Sequence, residues 1–182
     1  IQQVHSIVGR TTYGFNDPRR HKLKVLSTLL GDGSSSRLFQ AVREKLGMTY
    51  QINTFLNSYL DVSAFGVYYS TNDKQAGKVN EIVHREFSKL RNNEVKLKEL
   101  KRVKEYIKGN TLMSLESTTN RMIRLANSIL HYGKIVPIED ILYKIDSVTS
   151  EDILKLSKEV LNETTLSKII ICSKDNSIKK AA

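Results

Sequence analysis

The chain has 182 residues, 40% of them hydrophobic and 26% charged, with a formal net charge of +10. This is long enough to bury a core, and no apolar run approaches the roughly 20 residues that cross a bilayer, so no membrane partner is expected. The charge raises nucleic acid as a partner, but lysine and arginine interleave with glutamate along helical faces, as in VKLKELKRVKEYIK, which is the pattern of a solvated surface, and no specific nucleic acid is expected.

In chain order, QVHSIVGRTTYG is β-branched and alternating and reads as a strand. Asp17 and Pro18 read as the N-cap and first position of a helix. Leu23, Leu26, Leu29 and Leu30 give that helix an apolar stripe, and Gly31 stops it. Ser34 to Ser36 read as caps for a second helix that would bury Leu38, Phe39, Val42 and Leu46 and end at Gly47. Two strands follow, about Tyr50 to Leu56 and Val62 to Tyr69, joined by a turn at NSYLD. A helix from about Asp73 to Arg91 carries Val79, Ile82, Val83, Phe87 and Leu90 on one side.

From Lys96 the pattern is almost all helical: VKLKELKRVKEYIKGNTLMSLES as one long stretch, then TTNRMIRLANSILHYG closed by Gly133, then IEDILYKID after Pro137. SVTSEDILKLSKEVL opens with a capping box on Thr149 or Ser150. LSKIIIC reads as a last strand, and KKAA as a frayed end. The lone cysteine, Cys172, forms no internal disulfide, favours a reducing compartment, and reads as a small core residue. The expected fold is α+β, a mostly antiparallel sheet with helices on one face and a helix-rich C-terminal half, as one domain over residues 1–182. The chain opens at Ile1 inside a strand pattern, so a segment ahead of it is expected.

The residues build no obvious reaction centre alone. None of His5, His21, His84 and His131 has a second histidine three or four positions away, and neither HExxH nor HxxEH occurs. GDGSSSR lacks the Lys-Ser/Thr ending of a phosphate loop and reads as an inter-helix turn. Arg43 and Tyr50 stand out weakly. Their ordinary roles are charge compensation at a helix end and sheet packing. Their chemical role would be electrostatic, a phenol donating to an oxyanion with a guanidinium beside it, worth about 3 kcal/mol in a transition state.

LGDGSSSRLFQAVREKLGMTYQINTF resembles the signature of pitrilysin/insulinase-type zinc metallopeptidases, which include mitochondrial processing peptidase, in the domain that follows their catalytic domain. The matching positions are Gly31, Gly33, Ser35, Ser36, Arg37, Leu38, Phe39, Arg43, Glu44, Lys45, Gly47 and Tyr50. The likeness continues through Glu99 to about Thr118 and to Gly133, Val148, Thr149 and Asp152.

The resemblance implies half of a zinc metalloendopeptidase, a hydrolase of extended peptides. Arg43 and Tyr50 would be its catalytic and substrate-binding residues, orienting the scissile peptide and stabilising its tetrahedral intermediate. Zn2+ would be held by an N-terminal zinc-binding half, in the same chain or as a partner subunit, and none by this chain. By itself this segment would be inactive. The resemblance also admits a homodimer, and a location in the bacterial cytoplasm ahead of the periplasm or mitochondrial matrix. The alternative is a non-catalytic scaffold or substrate-recognition subunit of the same fold.

Overall fold

A computed structural model of the chain describes residues 3–172. Four strands, β1 (Val4–Tyr13), β2 (Gln51–Ser58), β3 (Val62–Thr71) and β4 (Ser167–Ile171), form one sheet in the order β2-β3-β1-β4. Every pairing is antiparallel. Six α-helices accompany it: α1 (Arg20–Gly31), α2 (Asp73–Asn92), α3 (Leu97–Ser114), α4 (Thr118–Tyr132), α5 (Ile138–Asp146) and α6 (Ser150–Val160). The α+β reading and its antiparallel sheet hold.

Side chains alternate across a strand, and here the two faces meet different surroundings. Val8, Ile52, Phe65, Val67 and Tyr69 point into the core, where they join Leu23, Leu26 and Leu30 of α1, Val83, Phe87 and Leu90 of α2, and Ile153 and Val160 of α6. Burying each such side chain is worth roughly 1.5–3 kcal/mol. On the other face Ile7 of β1 stands opposite Ile169 of β4, and the two remain 38% and 61% exposed.

Helix ends follow local chemistry. Thr149 and Asp152 close a reciprocal capping box on α6, and Gly133 ends α4 in the left-handed region at φ 68°. The two helical stretches expected after Lys96 divide where the sequence divides them: α3 ends at Ser114 and Ser117 caps α4. Three expectations need correction. Helix α1 opens at Arg20, because the Asp17 carboxylate is engaged one turn earlier: it accepts the Arg19 backbone N–H at 2.8 Å and pairs with the Arg19 guanidinium at 2.7 Å. The helix after the serines is wound mainly as a π-helix over Phe39–Glu44, so Leu38 and Val42 are buried while Leu46 is 45% exposed. Cys172 is half-buried just past β4 and outside the core. The KKAA end lies outside the described residues.

Candidate functional site

The GDGSSSR turn links α1 to the π-helix. Gly33 sits at φ 89°, which favours glycine, and a Cβ there would come within 2.8 Å of the Tyr106 hydroxyl on α3 and push that ring aside. The Ser36 hydroxyl donates to the Gly33 carbonyl at 2.7 Å. Arg37 then reaches α3: its Nε and Nη2 each donate to one oxygen of Glu99 at 2.8 Å. This fork-to-fork pair fixes where the next turn starts.

That turn is widened. The Lys45 N–H donates to the Gln40 carbonyl, five residues back, at 3.2 Å, which is the π pattern. Gly47, at φ 59°, reverses the chain, with its N–H donating to the Arg43 carbonyl and the Met48 N–H to the Val42 carbonyl. The Thr71 hydroxyl donates to the Met48 carbonyl at 2.5 Å, tying the loop to the end of β3. Thr49 is buried beneath it. Tyr50 emerges immediately before β2.

Arg43 and Tyr50 therefore stand at the two ends of one braced loop. Both are exposed, Tyr50 to 80%. The Arg43 guanidinium lies over the Phe39 ring, 4.9 Å from its centroid, a contact that steers the charge without neutralising it. No hydrogen bond joins Arg43 to Tyr50 among the described residues. Tyr50 borders an open concavity of about 380 Å3 with Gln3, Met48, Thr49, Asn72 and Gln75, and Arg43 is not among its lining residues. Asn72 caps α2 and its side-chain amide donates to Gln75 at 2.8 Å. These neighbours were not singled out in the sequence. The Asn-Asp start of α2 was the available signal.

The described residues do not fit a zinc centre: no group of three or more His, Cys, Asp or Glu side chains among them could hold a metal ion. His84 lies near one acid, Glu163, at 3.8 Å. His21 is buried under α5, where desolvation, then Arg20 and Lys144, push its pKa down to about 4. Among the described residues, no helix is long and apolar enough to cross a membrane.

Comparison with known proteins identifies the family and the fold. Residues 1–107 match the family profile described as "Peptidase M16 inactive domain". The chain is 34% identical over 160 residues to an uncharacterized zinc protease of Streptomyces coelicolor, covering 88% of this chain and 35% of the relative. It is 31% identical over 162 residues to the uncharacterized zinc protease YmxG of Bacillus subtilis, covering 89% and 40%. The chain thus spans well under half the length of these curated relatives. Its fold superposes on a protease from Helicobacter pylori with a TM-score of 0.86 at 20% identity, over 95% of this chain and 42% of that one. It also superposes on a peptidase M16 inactive domain from Pseudomonas fluorescens with a TM-score of 0.80 at 19% identity, over 92% and 40%. The chain belongs to the peptidase M16 inactive-domain family, the non-zinc-binding part of zinc-protease-like proteins.

Proposed function

We propose that this chain is one wall of a zinc endopeptidase's cleft, presenting Tyr50 and Arg43 to the carbonyl of an extended peptide. The observation that carries the reading is the braced loop between them: Gly47 turns it and Thr71 anchors it, and both functional side chains are left free in solvent. A phenol and a guanidinium held ready in this way need little reorganisation when negative charge develops on a carbonyl oxygen. The Tyr50 O–H donates to that oxygen, and Arg43 adds a positive charge beside it. The substrate is an unfolded segment that can run alongside β2, an outer strand of the sheet that directly follows Tyr50.

Zinc belongs to a separate zinc-binding half, which is the partner this reading requires, and the chain alone is inactive. The bacterial relatives support a cytoplasmic setting.

The test joins the chain to the zinc-binding half and follows cleavage of an extended peptide. Tyr50→Phe slows turnover while leaving the melting temperature unchanged. Wild-type turnover in that variant ends the assignment and leaves the chain as a non-catalytic scaffold of the same fold.

A further inference from the structure

A second cavity lies far from Tyr50. It is an open cleft of about 540 Å3 bordered by α1, α3, α4, α5 and the end of β2 at Leu56 and Ser58. Tyr50 precedes the opposite end of that strand, roughly 25 Å away by the rise of an extended chain. The size falls within the range of small-molecule sites.

The lining is apolar on most sides, with Phe15, Ile107, Ile123, Leu142 and Ile145 among it. Its charged members are all basic: Arg20, Lys24 and Arg124, with no acidic residue among the described lining. Lys24 already pairs with Asp32 at 3.2 Å. Arg20 and Arg124 have no acidic partner among the described residues. Arg20 is stacked over the Phe15 ring, 4.2 Å from its centroid. Arg124 donates through Nη2 to the Val136 carbonyl at 2.5 Å, yet its Nε is buried with no acceptor. A buried donor without an acceptor is costly, and here it belongs to a cation at the wall of an apolar space. His21, also at the wall, is held neutral near pH 7 by burial, so the arginines supply the uncompensated charge.

We infer that this cavity is a binding site for a small amphipathic carboxylate, its linear apolar tail between α3, α4 and α5 and its head on Arg124, with Arg20 as the second cation. The apolar lining suits a tail, and two wall arginines without an acidic partner among the described residues suit an anionic head. The site is independent of the reading given for Arg43 and Tyr50.

The experiment titrates the protein by calorimetry with decanoate, decanol and decyltrimethylammonium, all below their aggregation limits. Decanoate binds, decanol binds more weakly, and the cation does not bind. Arg124→Gln weakens decanoate by about tenfold or more, the loss of one charge-assisted hydrogen bond, and leaves decanol within about twofold. Ile141→Trp, which fills the space, weakens both. Circular dichroism melts confirm that each variant is folded, and if Arg124→Gln is not, Ile141→Trp alone decides. Decanoate binding no tighter than decanol, or unchanged binding in the folded variants, overturns the assignment. So does a short apolar peptide with a free C-terminus that binds more tightly than decanoate.

Discussion

Arg37 and Glu99, 62 residues apart in sequence, meet through two parallel N–H···O bonds of 2.8 Å, with both side chains about four-fifths buried. The pair fastens the start of the π-helix to α3. Arg37→Ala leaves a largely buried carboxylate without its partner and should cost about 2 kcal/mol. That lowers the melting temperature by about 4–8 °C in a chain of this length. Replacing both residues by apolar ones should cost less than the two single changes summed. Arg37 holds the Glu99 carboxyl below its ordinary value of 4.5. A depressed carboxyl pKa stabilises the fold above the unfolded value and loses that contribution as pH falls below it. The acid limb of a stability–pH curve below about pH 4.5 should therefore flatten in Arg37→Ala.

His21 governs a different pH window. Its pKa falls from 6.5 to about 4 on folding, so between those values the unfolded chain binds the extra proton. Stability should decline as pH drops from 6.5 toward 4 and level off below that. A His21→Leu variant, followed by thermal melts across this range, should lose that slope. A slope that persists unchanged assigns the effect to another group.

If Arg43 and Tyr50 act on one oxygen, their losses should not add. With the zinc-binding half supplied, Tyr50→Phe should reduce turnover by about a hundredfold, the scale of removing one oxyanion donor. Arg43→Gln should act in the same direction. The double variant should fall short of the product of the single losses, as measured by kcat/KM. Fully multiplicative losses separate the two residues.

Gly33 offers a test of the turn itself. Alanine there is strained by φ 89° and meets Tyr106 at 2.8 Å. Gly33→Ala should cost at least about 1 kcal/mol. Adding Tyr106→Ala should remove the clash and leave the backbone penalty. Full recovery in that double variant shows that only space mattered.

What could be read from the residues alone follows the range of the interaction responsible. Val79, Val83, Phe87 and Leu90 recur at helical spacing and are all buried on α2, and Thr149 with Asp152 announces its capping box within four residues. The π winding over Phe39–Glu44 has no such local mark, because the extra residue per turn is accommodated by docking through Arg37 and by the Gly47 reversal. Leu46 accordingly left the apolar stripe that regular winding assigned to it. Asp17 shows the opposite failure: a good capping residue whose carboxylate is taken by Arg19. The pairing of Arg43 with Tyr50 came from family resemblance, since neither periodicity nor composition distinguishes it from an ordinary helix end and strand start. The grip of Arg37 on Glu99 spans too much sequence for any periodic signal to carry.

The widened turn holds one residue more than ordinary winding would need. Removing one residue between Phe39 and Glu44 would let regular winding, at about 100° per residue, sweep nearly the same arc with one residue fewer. The chain beyond would keep its direction into β2. This stretch therefore behaves as an absorbed insertion, able to shed its surplus residue with less disturbance downstream than a regular helix would suffer.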